Sequence, residues 1–580
     1  MQKPTSSRHG RGAHARPHRH RRSSRWLAAV AGVAVLATGV GVGVAVTASD
    51  GASSQYLAPS QSRPVLAAFY FGEADPLNFW SSNLSGAPAA FRQMKQEGFN
   101  AVELAVPWGE FQPGVAPVRY NTTAFKRLNS LVSLANSLHL QTVLRLSYSV
   151  DVYPNEQDPN RFMSVFATST VYNSWLAYIT KVHQAVAGFP NVKVGELSWE
   201  DFYDPVFATQ PATTAAQRLT LATQTGFRSW LKQQYSLAKV SSMYGQRFTS
   251  WSQVPTPPNT TPLFRLMYQY DDWAVVHRFF IPASSRFPGL NLEARVTKDA
   301  LFTDGKQVAL YSHASTYKLP GTSYIGMYFD PYMGDPSTTK VETVPQALAA
   351  LQTTLATMRT SSGGLPLYIF EYEIVSNSPQ VATSSGLPET QVPAFLEQSA
   401  PIMKKYTLGY SLWTYRDYRQ SPLYNSSFGL GTTGWQVTGS VKASAAGGGS
   451  LAMQGSSAVS QKFNVGDLAG APGSTVTVSL VASAPGSSSV TLQVGMAGAR
   501  TQTVTVRGAA ETYQVQFPAS AFPGGNVGDQ VTVAATAPTT ISNVQVYNFT
   551  QLGDVYNATG GAEAGAAGLV ALNQQLSGGS

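Results

Sequence analysis

Short apolar runs alternate with longer stretches of helical periodicity between residues 64 and about 413. The stretches between the runs, such as "TAFKRLNSLVSLANSLH", return an apolar residue every three or four positions, as amphipathic helices do. This alternation predicts βα units built around a parallel sheet. The apolar runs are rich in β-branched and aromatic residues and predict eight strands, at 65–71, 100–108, 141–148, 192–200, 291–296, 324–329, 367–373 and 408–415.

Eight strands with seven helical regions between them predict an α/β fold, a (β/α)8 TIM barrel over residues 64–421. The largest insertion would cover 201–289, after the fourth strand. A doubly wound open sheet is the alternative topology. No glycine-rich phosphate loop follows the first strand, which disfavours that alternative.

The composition changes near residue 421, where Val, Thr, Ser and Gly become frequent and alternate along runs such as "STVTVSLVAS" and "QVTVAAT". Period-two alternation with turn residues at short intervals predicts an all-β jelly-roll sandwich over 422–551. The remaining residues, 552–580, are rich in Gly and Ala and predict a flexible tail.

The net charge of +9 is concentrated at the N-terminus, where residues 1–25 hold eight Lys and Arg and no acidic residue. The rest of the chain is nearly neutral, so no nucleic acid is expected as a partner. Uncharged residues 26–48 follow and predict a transmembrane anchor, or a signal peptide cut after Ala48, before a linker at 49–63. The basic flank predicts a cytoplasmic N-terminus, with the following domains outside the cell membrane, or secreted after cleavage.

The chain has no cysteine, and its eight histidines show no spacing typical of metal ligands. Thiol chemistry is therefore excluded, and neither a metal nor another cofactor is expected. Carboxylates at the strand ends are the remaining candidates for chemistry: Glu200 and Asp201 at the fourth strand, Glu371 and Glu373 at the seventh. Two carboxyl groups that face each other across a barrel mouth can hydrolyse a glycoside without a metal.

Several segments resemble the retaining glycoside hydrolases of clan A. "PLYIFE" is similar to the seventh-strand pattern that ends in the nucleophile, and "VGELSWED" to the fourth-strand pattern that ends in the acid/base. The resemblance implies Glu371 as the nucleophile and Glu200 as the acid/base residue. "GFNAVELAVPWGEFQPG" and "LGYSLWTYRDY" resemble the second and eighth strands, and "FRSWLKQQYSLAKVSSMYGQRFTSWSQVP" resembles the insertion of family 42 β-galactosidases.

Several residues near the predicted mouth are expected to contact the sugar. Trp199 stands where the clan usually has the Asn that holds the sugar 2-hydroxyl, so galactoside specificity does not carry over. Tyr328 is expected beside the nucleophile, and Glu373 either supports it, contacts substrate or is itself the nucleophile. The predicted substrate-binding residues are Trp108, Trp199, Tyr328, Glu373 and Trp413.

Four further charged residues near the predicted mouth, Arg145, Glu110, Glu293 and Asp330, are interpreted mainly as structural ion pairs. The start of the second domain, "NSSFGLGTTGWQVTGSV", resembles carbohydrate-binding jelly rolls, and a spacer that binds nothing is the alternative. The whole chain predicts a retaining hydrolase of an extracellular or cell-envelope oligo- or polysaccharide. A catalytically inactive glycan-binding scaffold and a transglycosylase remain as alternatives.

Overall fold

The computed structural model describes residues 63–72, 74, 76–148, 161–199, 204–296, 298–331, 343–374, 387–419, 421–444, 449–463, 475–494, 500–518, 529–547, 550–551, 553 and 555–578. Among these residues, no helix is long and apolar enough to cross a membrane. The 26–48 segment lies outside them, so the anchor or signal peptide stays a prediction.

Eight parallel strands form the first domain, close to the positions that the apolar runs predict. They pair in two four-stranded sheets, in the orders β1-β8-β7-β6 and β2-β3-β4-β5. The strands are β1 (Val65–Ala68), β2 (Ala101–Val106), β3 (Gln141–Tyr148), β4 (Val192–Trp199), β5 (Leu290–Leu292), β6 (Ile325–Phe329), β7 (Leu367–Glu373) and β8 (Thr407–Trp413).

The two sheets join along both edges. A parallel bridge between Phe69 and Glu103 connects the end of β1 to β2, and a second between Glu293 and Gly326 connects the end of β5 to β6. Each strand therefore has a parallel neighbour on both sides, in chain order. This ring confirms the predicted barrel and excludes the doubly wound sheet, whose edges would stay open.

Helices cover the outside of the ring, with apolar faces packed on the strands. Local chemistry sets several of their ends: Asn121 accepts hydrogen bonds from the first-turn amides of α2, and Thr343 and Gln346 form a capping box at the start of α5. The helices used below are α1 (Ala87–Gln96), α2 (Thr122–Ser137), α3 (Ser169–Val186), α4 (Arg265–Trp273), α5 (Val344–Ser361), α6 (Val392–Tyr406) and α7 (Gly565–Ser577).

The predicted insertion between β4 and β5 is helical. Besides α4, it contains Asp204–Thr209, Ala215–Gln224, Phe227–Gln234, Leu237–Tyr244, a π-helical turn at Ala274–Phe280, and Ile281–Ser284. After β5, a hairpin of Lys298–Thr303 and Lys306–Ser312 stands where a barrel helix would be expected. Buried His313 joins this hairpin to α4, since its ring nitrogens lie 2.6 Å from Asp272 Oδ1 and 3.0 Å from Asp299 Oδ2.

The second domain is all-β and antiparallel, as the alternation predicts. Its 20-residue strand β13 bends, so that one half pairs with β16 and the other half with β15, around one apolar core. Its jelly-roll topology stays a prediction. The strands are β9 (Gln436–Thr438), β10 (Val441–Ser444), β11 (Ser450–Met453), β12 (Ser457–Phe463), β13 (Thr475–Val494), β14 (Arg500–Pro518), β15 (Asp529–Ala535) and β16 (Thr539–Tyr547).

After the β domain, the chain returns to the barrel. Residues 565–577, within the predicted flexible tail, form helix α7, which packs along α6. Buried Asn573 donates to the carbonyl of Glu97 at the end of α1 and accepts from the Tyr410 hydroxyl of β8, at 3.1 and 2.6 Å. Helix α7 is thus the barrel helix that follows β8, and the β domain lies between them in the chain. The tail prediction was wrong because Gly and Ala content hid the apolar spacing of this helix.

We expect α7 to contribute to the stability of the barrel. Leu572 is fully buried between α7 and the barrel, so Leu572→Ala should lower the free energy of unfolding by about 2–5 kcal/mol. Gln574→Ala, on the exposed side of the same helix, should stay within about 0.5 kcal/mol of wild type. Urea unfolding followed by tryptophan fluorescence measures both. Equal effects of the two substitutions would contradict the packing of α7.

Candidate active site

The inside of the ring has an apolar floor and a charged layer above it, towards the C-terminal ends of the strands. The floor is made of Val65, Ala67, Ala101, Val143, Tyr324, Tyr368 and Phe370. Above the floor, closer to the C-terminal ends of the strands, stand the members of the charged layer: Glu103 on β2, Arg145 on β3, Glu196 on β4, Glu293 after β5 and Glu371 on β7. Active sites of such barrels lie at this end of the strands.

Arg145 is the centre of the charged layer. Its side chain is fully buried, and its Nη2 lies 3.0 Å from Glu293 Oε2 and 3.3 Å from Glu371 Oε2. Nη1 is 3.9 Å from Glu103 Oε1, and the guanidinium lies over the Phe370 ring, 4.3 Å from its centroid. Burial alone would lower the pKa of Arg145, but the surrounding glutamates outweigh burial and raise it. Arg145 is therefore a permanent cation inside the barrel.

A bulge in β7 turns Glu371 into the barrel. Met327 pairs with Ile369, and Tyr328 pairs with Glu371, so β7 has one extra residue at this point. Simple alternation would place Glu371 on the helix-covered face with Ile369. The bulge brings Phe370 and Glu371 both into contact with Arg145. The Glu371 side chain stays 14% exposed, open to the barrel mouth.

The strands beside β7 bring two predicted substrate-binding residues close to Glu371. Tyr328 of β6 is its direct register partner, as predicted. Glu373 pairs with Trp413 of β8, and the Trp413 ring is held edge-on by Phe69 and Phe71, at centroid distances of 4.9 and 5.5 Å. Tyr328, Glu373 and Trp413 therefore flank the candidate nucleophile.

Trp108, another predicted substrate-binding residue, is almost fully buried. It is 2% exposed, and its indole N–H donates to Gln112 Oε1 at 2.7 Å. The Arg161 guanidinium lies over its ring, 5.2 Å from the centroid. Trp108 thus packs within the protein at the start of the loop after β2.

Trp199 and Glu200 are the two site residues predicted for the end of the fourth strand. The backbone of Trp199 is the last residue of β4 and pairs with Tyr148. The Trp199 side chain and all of Glu200 lie outside the described residues, so their assigned roles stay predictions. Of the other charged residues, Arg145 and Glu293 form an ion pair with each other, while Glu110 accepts a hydrogen bond from Asn121 at 2.9 Å.

Two members of the charged layer, Glu103 and Glu196, were not predicted. Burial raises the pKa of Glu103 well above its usual range, although Arg145 and Ser411 oppose the shift. Burial raises the pKa of Glu196 to about 8, against a hydrogen bond from Tyr324 and the charge of Arg145. Both are glutamates inside mostly apolar strand sequences, "AVELAV" and "VKVGELSW", as Glu371 is in "PLYIFE". The same criterion, applied to every strand, would have found them.

The motif that resembles carbohydrate-binding modules has a structural role at the domain boundary. The side-chain amide of Asn425 donates across its own loop to the carbonyls of Gly431 and Thr433, both at 2.9 Å. Its backbone N–H donates to the Ser81 hydroxyl of the barrel. Trp435 is buried in the core of the β domain against Phe428. These contacts account for the Asn and Trp of the motif, and glycan binding by this domain stays a prediction.

Comparison with known proteins finds glycosidases. No family model matches the chain. An exo-β-D-glucosaminidase from Pyrococcus horikoshii is 24% identical over 239 residues, which cover 36% of this chain and 29% of that protein. The chain thus spans less than a third of the length of this curated relative. The relative's own activity is therefore a basis for proposals about this chain and does not establish its substrate.

Among solved structures, an exo-β-1,4-mannosidase from Opitutaceae bacterium strain TAV5 is 13% identical, covering 64% of this chain and 56% of its own, with a TM-score of 0.38. Gan42B, a GH42 β-galactosidase from G. stearothermophilus, is 12% identical, covering 63% and 53%, with a TM-score of 0.46. With such scores, the fold assignment rests on the strand pairing given above. All three proteins are glycosidases by name, the class that the motifs resemble.

The packing of Glu196 can be tested through Gly326 of β6. A Cβ atom at Gly326 would stand 2.5 Å from Phe370 Cε1 and 2.8 Å from Glu196 Oε2. Gly326→Ala should therefore lower the free energy of unfolding by about 1–3 kcal/mol, the usual effect of overpacking. Gly188→Ala is the matched control, because no atom lies within 4 Å of its new Cβ. Urea unfolding measures both variants. A free energy of unfolding of Gly326→Ala equal to that of wild type would contradict this arrangement.

Proposed function

We propose that the chain is a retaining glycoside hydrolase, with Glu371 as the nucleophile and Glu200 as the acid/base residue. The observation that carries the proposal is the position of Glu371, at the C-terminal end of β7, open to the mouth and 3.3 Å from Arg145. The guanidinium favours the charged form of this carboxylate, which is the form that attacks. The glucosaminidase relative supports the same class of reaction.

The mechanism is a double displacement. The Glu200 carboxyl protonates the glycosidic oxygen while a Glu371 oxygen attacks the anomeric carbon, so the leaving sugar departs as an alcohol and an ester forms on Glu371. The Glu200 carboxylate then takes a proton from water, whose oxygen attacks the same carbon and releases Glu371. This mechanism requires the two carboxyl groups to be about 5–5.5 Å apart. Tyr328 and Trp413, which flank Glu371, are proposed to contact the sugar in the −1 position.

The substrate is proposed to be an extracellular or cell-envelope oligo- or polysaccharide, reached because the basic and apolar N-terminal segments direct the enzyme to or across the membrane. The named relatives act on different sugars: a glucosaminide, a mannoside and a galactoside. Activity should therefore be sought with aryl β-glycosides of all three, and of glucose and N-acetylglucosamine. Transfer to an added sugar acceptor instead of water would identify a transglycosylase.

Substitution of the two β7 glutamates separates their roles. Glu371→Gln keeps the shape of the side chain but cannot attack, so kcat should fall by more than about 10⁴-fold. Glu373→Gln is the matched control two residues further along the strand, and its loss should stay below about 10²-fold. Steady-state kinetics on the active aryl glycoside measures both. The reverse order of effects would make Glu373 the nucleophile, and no activity with any substrate would favour the inactive glycan-binding barrel.

Azide can identify the acid/base residue, which lies outside the described residues. Glu200→Ala should lower kcat by about 10²–10⁴-fold on a substrate whose leaving group needs a proton. On an activated aryl glycoside, whose leaving group departs without a proton, azide should restore turnover in this variant because it attacks the Glu371 ester without base assistance. The glycosyl azide should keep the anomeric configuration of the substrate. NMR of the product checks this. An azide product of inverted configuration would assign the nucleophile role to residue 200 and refute the assignment.

A further inference from the structure

Glu196 lies inside the barrel, in the same charged layer as the candidate nucleophile. It is fully buried on β4 and is the register partner of Arg145 on β3. The Tyr324 hydroxyl donates to its Oε1 at 2.8 Å. Its Oε2 points towards Gly326 and the Phe370 ring, and it has no hydrogen-bond partner among the described residues. This environment solvates a charged carboxylate poorly.

The charges in this layer do not balance if every acid is ionised. Within the described residues, one guanidinium, that of Arg145, serves four carboxyl groups. Glu293 and Glu371 lie closest to it, at 3.0 and 3.3 Å, and both keep some exposure to the mouth. Glu103 and Glu196 are fully buried. Among the described residues, Glu103 lies 3.9 Å from the guanidinium, and Glu196 forms no ion pair with it. Buried charges without a close partner are strongly unfavourable, so a proton on Glu196 is expected.

We propose that Glu196 is a positioning residue that stays in its acid form at neutral pH and thereby leaves the charge of Arg145 to Glu371 and Glu293. Its effect on Glu371 rests on the proposed function, whereas its protonation does not. Ionisation of Glu196 would add a negative charge beside Arg145, which would then be shared with a further carboxylate. The guanidinium would hold Glu371 less firmly in its attacking position.

Electrostatics supports this assignment. Burial raises the pKa of Glu196 from its usual value of 4.5 to about 8, and the charge of Glu293 adds to the shift. The Tyr324 hydrogen bond and Arg145 act in the opposite direction. The other titratable groups that interact with Glu196 are Glu103 of β2 and Tyr368 of β7. The acid form therefore dominates up to about pH 8.

Stability as a function of pH tests the proton on Glu196 without any substrate. The native protein would keep this proton up to about pH 8, while the unfolded chain loses it near 4.5. Between these values, stability falls as pH rises, so the unfolding constant of wild type should increase about tenfold per pH unit relative to Glu196→Gln. The ratio should level off above pH 8. Exposed Glu389→Gln is the matched control and should show no such trend.

Reactivity tests the effect on Glu371. The rate of covalent inactivation by an activated 2-deoxy-2-fluoroglycosyl fluoride needs no proton from Glu200, since fluoride leaves unassisted. At pH 9, one unit above the Glu196 midpoint, the rate in wild type should be about tenfold lower than on the plateau at neutral pH. In Glu196→Gln, the two rates should be equal. Tyr324→Phe removes the hydrogen bond that favours ionised Glu196 and should move the wild-type midpoint to higher pH.

The outcomes are distinct. The tenfold trend in unfolding, together with the alkaline loss in wild type but not in Glu196→Gln, supports the proposal. Identical pH dependence in wild type and Glu196→Gln overturns it, even if the enzyme is active. If wild type reacts with none of the probes, the proposed function is overturned. The pH dependence of unfolding in wild type, Glu196→Gln and Tyr324→Phe then decides alone whether Glu196 holds the proton.

Discussion

The buried guanidinium of Arg145 is the interaction on which the interior of this barrel depends. A cation without contact to water requires opposite charge nearby, and β2, β4, β5 and β7 each bring a glutamate to it. The same cation makes it possible to keep the Glu371 carboxylate, in the charged layer below the mouth, in the charged state that a nucleophile needs. Charge balance thus links the packing of the barrel centre to the chemistry at its mouth.

The helical layer around the strand ring is completed by a part of the chain far from it in sequence. Helix α7 follows the entire β domain, yet it bonds to α1 and β8 and covers the barrel next to α6. The β domain is thereby held at both of its ends: Asn425 bonds to the barrel at its start, and the 555–578 segment anchors its exit.

Much of the fold follows from periodicity, because the eight apolar runs and the change to alternation near residue 421 are strong local signals. The position of Glu371 does not. Strict alternation places it with Ile369 outside the barrel, and the one-residue bulge that turns it inward depends on pairing between β6 and β7. Helix α7 was missed because local composition resembles a flexible tail, and its helical structure depends on packing against distant α6. The burial of Trp108 could not be predicted either, because its contact with Arg161 depends on the tertiary fold.

Glu371, held by Arg145, is the residue proposed to bond to the sugar. Peptide mapping of the protein trapped with a 2-deoxy-2-fluoroglycoside tests this assignment most directly, by tandem mass spectrometry of the labelled peptide from β7. We expect a single glycosyl ester on Glu371, absent in Glu371→Gln. A label on Glu373 or on any residue outside β7 would contradict it.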